Sequence, residues 1–400
     1  MLPVACRPLR PPSGRHAAAN RLGAGAEGRV GPLKITGLDC HGYELHYAHG
    51  EYVMSGGRAA VSQIGTLVRL RTDDGPDGWG EITPLGATYL PAFAEGVRTA
   101  LRFLAPHVIG LDPTNVSAVG RAMDSALLGH QYAKSAVDIA CWDLRGKAAG
   151  LPISALLGGV LQDDFPIYEA VPLDSPESMA AFVQRRGAAG IKRFQLKVGN
   201  RPLDDAARTR AVVEAATSDT IVIADSNGGW NLLDARIAMN AMSDLPVFVE
   251  QPCRTTDDCA LAARHSNLPL VLDESIVTLT DVYEAKRAAG AASINIKISR
   301  VGGLTAAARM RDVMQELNLM VSIEDTWGGD VITAAVSHLA ATTRPECLLM
   351  TSFFNDWTDG HIAGYHPRSV NGRGSAPTGP GLGIEVDASA LAAPLFSVAA

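Results

Sequence analysis

Short apolar runs, each closed by an ionisable residue, recur through the second half of the chain. They are Phe194–Lys197, Ile221–Asp225, Val247–Glu250, Leu270–Asp273, Ile294–Lys297 and Val321–Asp325, and their terminal residues lie 23 to 28 positions apart. Between them the spacing of apolar positions predicts helices over Ala206–Ala216, Leu233–Met242, Asp281–Ala289 and Thr305–Leu317. One strand, one helix and two short loops need about that many residues, so the predicted architecture is an α/β fold, a parallel (β/α) barrel.

The first half reads differently. Gly65–Thr72 alternates as a half-buried strand does, Asp73–Gly78 supplies a turn before Trp79, and helical periodicity follows over Phe93–Leu104 and Ala133–Ala149. These elements predict a small N-terminal α+β domain over residues 33–157, ahead of a barrel over 158–360. The loop Tyr47–Gly57 carries Gly50, Gly56 and Gly57 and is expected to be mobile. Residues 1–32 hold Arg7, Arg10, Arg15, Arg21 and Arg29 against the single acid Glu27. A transit peptide has that bias, but Pro3, Pro8, Pro11 and Pro12 interrupt any amphipathic helix, so a disordered extension is the expectation.

Composition narrows the function. The 400 residues are 47% hydrophobic and 19% charged, as in ordinary globular proteins. A net charge of −7 argues against a basic face for nucleic acid, and no apolar run has the length of a membrane helix. The six cysteines show no C-x-x-C spacing, which points to a reducing, cytoplasmic setting rather than a zinc cluster or disulfide framework.

In a (β/α) barrel all strand C-termini meet at one mouth. The pattern therefore sets Lys197, Asp225, Glu250, Asp273, Lys297 and the Glu324-Asp325 pair around one opening. One charged strand end is ordinarily just a solvated terminus, but six in succession ask for another cause. Asp225, Glu250 and Asp273 would repel one another without a cation, and oxygen-only donors with no His or Cys suit Mg²⁺, or Mn²⁺, rather than zinc. In an eight-stranded barrel Lys197 and Lys297 would lie on opposite sides of the mouth. Structural ion pairs are the bland reading of these lysines. The chemical reading is that each addresses one face of a metal-held carboxylate, whose α-proton is lost to give an enediolate.

These residues resemble the enolase superfamily in its mandelate racemase/muconate lactonizing enzyme-like branch, from about Leu33 to the C-terminus. That resemblance implies a modified TIM barrel capped by the N-terminal domain, with segment 361–400 returning to the cap. It assigns the metal to Asp225, Glu250 and Asp273, the bases to Lys197 and Lys297, and specificity to the loops Tyr47–Gly57 and Pro84–Pro91. Phe194–Gly199, Ile294–Ser299, Ile323–Asp330 and Ala140–Leu144 resemble cis-3-hydroxy-L-proline dehydratases, and less closely 4-hydroxyproline betaine 2-epimerases. The branch's usual Lys-x-Lys is here Gln195-Leu196-Lys197, a departure the proline-derivative groups share. Lys297, where acid-sugar dehydratases carry His, also turns the expectation toward a small proline derivative. The implied reaction is dehydration of cis-3-hydroxy-L-proline to Δ1-pyrroline-2-carboxylate, with racemisation or 2-epimerisation of a proline betaine as the alternative. Trp327 matches a residue that faces a substrate ammonium, although a core tryptophan is the competing reading. Asp325 is expected to pair with a ring ammonium or to support Lys297. Gln195, Asn227, Tyr89 and Phe354 complete the expected substrate contacts, with Phe353–Asp356 as the eighth strand. The resemblance also implies a homo-oligomer. Trp79, Trp142 and Gly302-Gly303 read as structural.

Overall fold

A computed structural model describes residues 33–400, and these form one compact unit. The cap is built on a four-stranded antiparallel sheet in the order Phe396–Ala399, Ile35–His46, Ser62–Thr72, Gly78–Ile82. Its outermost strand is the end of the chain, paired to the first strand through Gly37 with Ala399 and Cys40 with Phe396. The helix Gln131–Ala149 lies across Gly78–Ile82 at very short range. A Cβ on Gly80 would stand 1.9 Å from the Ala136 carbonyl oxygen, and one on Gly78 2.4 Å from that of Ala140. Small residues on both elements are what allow this approach.

Among the described residues, eight parallel strands close the barrel: Phe165–Val171, Arg193–Lys197, Ile221–Asp225, Val247–Glu250, Leu270–Leu272, Ser293–Lys297, Met320–Glu324 and Leu348–Ser352. Closure is made by the eighth strand on the first, through Thr351 with Ile167 and Ser352 with Tyr168. The period-2 alternation sorts the side chains. Phe194, Leu196, Ile294 and Ile296 join the apolar layer under the outer helices, while Gln195, Lys197, Asn295 and Lys297 are buried polar groups on the other face.

One expected element is corrected. The eighth strand is Leu348–Ser352, and Phe354–Asp356 is a 3₁₀ turn just beyond it. The expected strand at Phe353–Asp356 lies just past the run Leu348-Leu-Met-Thr-Ser352, which is what completes the ladder. Among the described residues, no helix is long and apolar enough to cross a membrane.

Candidate active site

The strand register brings the charges together. Lys197 is the direct neighbour of Asp225, Asp225 of Glu250, and Lys297 of Glu324. Lys197 Nζ donates to Asp225 Oδ2 at 2.5 Å and to Gln195 Oε1 at 2.9 Å. The Gln195 amide passes the contact on to Glu250 Oε1 and Oε2 at 3.0 and 3.1 Å, and Asn295 Nδ2 reaches Glu250 Oε1 at 2.8 Å. Across the mouth, on the sixth strand, Lys297 Nζ donates to Asp273 Oδ2 at 2.6 Å and to the Tyr89 hydroxyl at 2.7 Å. Glu324 Oε1 stands 3.9 Å from the same nitrogen.

Burial favours the neutral amine of Lys197, yet Asp225, Tyr52 and Glu250 outweigh it and raise its pKa well above the lysine norm. Lys297 follows the same pattern, with Asp273 and Glu324 overcoming its burial. Burial would also raise the Asp273 carboxyl, but Arg300 and Lys297 hold it down at about 2. Glu250 lies at the other extreme, driven far upward by burial and by Asp225, Asp273 and Glu324. Burial raises Glu324 to about 7.

Sequence reasoning missed Arg300. Its Nη1 donates to Asp273 Oδ1 at 2.8 Å, and its other nitrogens to the Ile276 and Asn295 carbonyls. It follows Lys297 by three positions, in the short helical turn Ile298–Val301. Glu324 was passed over in favour of Asp325, although alternation distinguishes them. Asp325 lies on the apolar side with Ile323, bonded to the Ser299 backbone N–H and hydroxyl and to Thr326 N–H. Glu324 lies at the mouth, bonded to the Tyr168 hydroxyl, and its Oε1 has no hydrogen-bond partner among the described residues.

The three carboxyls that approach one another are Glu250, Asp273 and Glu324, with one oxygen of each within 4.8 Å of the others. Asp225 adjoins Glu250, but its oxygens serve Lys197, the Asn227 backbone N–H and Asn227 Nδ2. Asn227 also spans to Glu274 Oε1 at 3.0 Å. Asp225, Glu250, Asp273, Glu274 and Glu324 gather five buried or half-buried carboxyls around Lys197, Lys297 and Arg300. A largely buried, oxygen-only donor set of that kind fits a hard divalent cation.

Gln251 links the turns carrying these groups. It is fully buried at a φ of 38°. Its Oε1 accepts from Asp273 N–H at 2.8 Å and from Ser275, while its Nε2 donates to the Cys253 carbonyl at 2.9 Å. Its own carbonyl accepts from the Ser226 hydroxyl at 2.6 Å and from Gly228 N–H at 2.8 Å.

Aromatic rings fill the side of the mouth near Lys197. Trp327 is 1% exposed, with ring centroids 5.2 Å from Tyr52, 5.8 Å from Tyr47, 5.9 Å from Phe354 and 6.3 Å from Trp357. Tyr47 and Tyr52 come from the cap and Trp327 from the barrel, so both halves build this wall. Trp327 Nε1 has no hydrogen-bond partner among the described residues. Tyr89 closes the opposite side, its ring centroid 5.2 Å from Lys297 Nζ. A cavity of about 840 Å³ leads in between the cap segments 54–60 and 85–90, and reaches Asn227, Gln251 and Glu274.

A capped barrel with carboxylates on successive strand ends and lysines facing across them defines an enzyme of the enolase superfamily, and the chain belongs to it. Residues 178–390 match the enolase C-terminal domain-like family, and 52–158 the N-terminal domain of the mandelate racemase/muconate lactonizing enzyme family. The cis-3-hydroxy-L-proline dehydratase of Roseibium aggregatum is 42% identical over 352 residues, covering 88% of this chain and 96% of that protein. An N-succinyl-L-Arg/Lys racemase of Bacillus cereus is 27% identical over 316 residues, 78% of this chain and 85% of its own. An enolase-superfamily member from Roseovarius nubinhibens ISM, crystallised with magnesium, superposes with a TM-score of 0.86 at 34% identity, covering 92% of this chain and 100% of that one.

Proposed function

We propose that this enzyme dehydrates cis-3-hydroxy-L-proline to Δ1-pyrroline-2-carboxylate. The observation that carries the reading is the placement of Lys197 and Lys297 on the second and sixth of eight strands, facing each other across buried carboxyls. When the hydroxyl is cis to the carboxylate, the α-hydrogen lies on the opposite face of the ring. Elimination then needs a base on one face and an acid on the other, which a single residue cannot supply.

Asp225, Glu250 and Asp273 would hold a divalent cation, Mg²⁺ or Mn²⁺, with Glu324 beside them. Such a cation would supply positive charge against the substrate carboxylate and offset the negative charge of Asp225 and Glu250 that keeps Lys197 protonated. Lys197 then takes the α-proton, and the electron pair left on the α-carbon delocalises into the carboxylate. Lys297, held as an ammonium by Asp273 and Glu324, gives its proton to the 3-hydroxyl, which departs as water. The enamine tautomerises to the cyclic imine. Gln195 offers a neutral amide beside Lys197 and orients it through Oε1. The face of Trp327 suits the ring ammonium, where cation–π attraction contributes about 0.5–2 kcal/mol.

That same aromatic wall favours a second reading, racemisation or 2-epimerisation of a proline betaine, since a quaternary ammonium needs no hydrogen-bond acceptor. Proton NMR in D₂O with Mg²⁺ separates the two. Loss of the hydroxyproline signals with growth of Δ1-pyrroline-2-carboxylate supports dehydration. Loss of only the α-proton signal of L-proline betaine, with racemisation, moves the assignment to the isomerase. No reaction with either compound by a metal-loaded protein would overturn both.

A further inference from the structure

The loop that carries Trp327 is anchored from the other half of the molecule. It runs Thr326-Trp-Gly-Gly329 from the seventh barrel strand into the helix Asp330–Ala341. A helix N-terminus presents backbone N–H groups with no partner inside the helix, and the residue preceding this one is Gly329, which has no side chain to cap it. The acceptor is Glu81, a fully buried carboxylate on the cap strand Gly78–Ile82. Its Oε1 accepts from Gly329 N–H at 2.5 Å and its Oε2 from Ile332 N–H at 2.9 Å. Tyr43, on the first cap strand, donates its hydroxyl to the same Oε1.

The two glycines fit this contact. A Cβ on Gly329 would sit 2.7 Å from the Tyr43 hydroxyl oxygen and 3.4 Å from Glu81 Oε1. One on Gly328 would sit 1.7 Å from Ile332 Cγ2 and again 3.4 Å from Glu81. The sequence is therefore shaped so that a cap carboxylate can reach a barrel helix. Two residues away, the Trp327 indole is held by apolar and ring packing, and its Nε1 has no hydrogen-bond partner among the described residues.

We infer that Glu81, with Tyr43, is a positioning pair through which the cap sets the Trp327 face of the substrate pocket. Neither residue touches the lysines or the carboxyl cluster in any contact given above, so the pair acts on substrate fit rather than on proton transfer or metal binding. The functional half of this inference rests on the proposed proline-type substrate; the structural half does not.

The test uses the full chain with Mg²⁺ and compares wild type, Glu81→Ala, Glu81→Gln and Tyr43→Phe. In Glu81→Ala the amides of segment 326–333 should exchange with D₂O at least tenfold faster, while those of the second to sixth barrel strands stay as in wild type. The KM for cis-3-hydroxy-L-proline should rise about tenfold with kcat within threefold, and Mn²⁺ affinity should not move. Glu81→Gln keeps one acceptor oxygen but turns an NH2 toward the other backbone N–H, and Tyr43→Phe removes only the hydroxyl, so both should show smaller losses of the same kind and keep the inference testable if the alanine variant folds poorly. Unchanged exchange in segment 326–333 overturns the anchor. Faster exchange with a wild-type KM overturns the positioning role, as does a fall in kcat and Mn²⁺ affinity together. If wild type turns over no proline derivative, the substrate reading fails, while the exchange result still decides the anchor.

Discussion

Replacing Gln251 by Leu tests whether the three turns at the carboxyl-rich end of the mouth are set by one buried amide. Leucine is close in size, and like glutamine it carries a single substituent on Cβ, so the cost of the 38° φ is common to both residues. What changes is polar. Asp273 N–H loses its acceptor at 2.8 Å, while the Cys253 carbonyl loses its donor at 2.9 Å and keeps the Cys259 thiol at 3.2 Å. A buried group left unsatisfied costs about 1–3 kcal/mol. Part of that is lost stability, but relaxation of the Asp273 turn would also displace a proposed ligand. Partners that orient metal ligands typically account for about 10–100-fold in metal affinity, or about 1.4–2.7 kcal/mol. Titration with Mn²⁺, followed by EPR of the free ion, should show a Kd weaker by that factor, with activity largely restored at saturating Mn²⁺. An unchanged Kd accompanied by a lower Tm would refute the reasoning and reduce Gln251 to a packing residue.

Three further outcomes are expected. Lys297→Ala should leave α-proton exchange of cis-3-hydroxy-L-proline measurable in D₂O while cutting dehydration about 10²–10⁴-fold; near-normal dehydration would sink the two-lysine mechanism. Asp225→Asn and Glu324→Gln compete for the third carboxylate position: if Asp225 is the ligand, its variant should lose far more Mn²⁺ affinity than the Glu324 variant, and the reverse order would move the site to the three carboxyls that already lie together. His338 is buried, with Nδ1 accepting from Ser154 N–H and Nε2–H donating to the Leu382 carbonyl. Burial lowers its pKa from 6.5 to about 4, so the unfolded chain binds the proton first as pH falls. This contribution is intact above about pH 6.5 and should be lost between there and pH 4, amounting to about 3 kcal/mol at 1.36 kcal/mol per unit. Urea unfolding across that window should show the slope in wild type and a shallower one in His338→Gln.

Much of the barrel was legible because its signal repeats. A strand-length apolar run ending in a charge is weak evidence once, but its recurrence at nearly constant spacing fixes both architecture and mouth. The lysines and the Asp225, Glu250 and Asp273 candidates followed from that alone. What was not legible fell where the repeat breaks off. The eighth strand, Leu348–Ser352, ends in neutral residues and so lacks the terminal charge that marks the others. Arg300 sits on a helical turn after its strand rather than at a strand end. The choice between Glu324 and Asp325 was decidable in principle, because Ser322 and Glu324 alternate with Ile323, but two adjacent acids hide the parity of the strand. The roles proposed for Tyr43 and Glu81 depend on Glu81 reaching backbone about 250 positions away and on Tyr43 reaching Glu81 from another strand, which no local pattern encodes.

The site divides its labour by the source of each residue. The barrel provides charge: carboxyls and lysines on strands whose register is set by continuous ladders, where small displacements are resisted by neighbours on both sides. The cap provides shape, through Tyr47 and Tyr52 against Trp327 and through Tyr89 over Lys297. Proton abstraction from a carbon acid needs the first group held rigidly, since the cost of misplacing a base rises steeply with distance. Substrate choice can vary with the second without disturbing the first. Relatives with dehydratase and racemase activities on different substrates fit that division. It follows that substitutions in the cap loops should move KM and substrate preference before they move metal affinity, while substitutions at the strand ends should do the opposite.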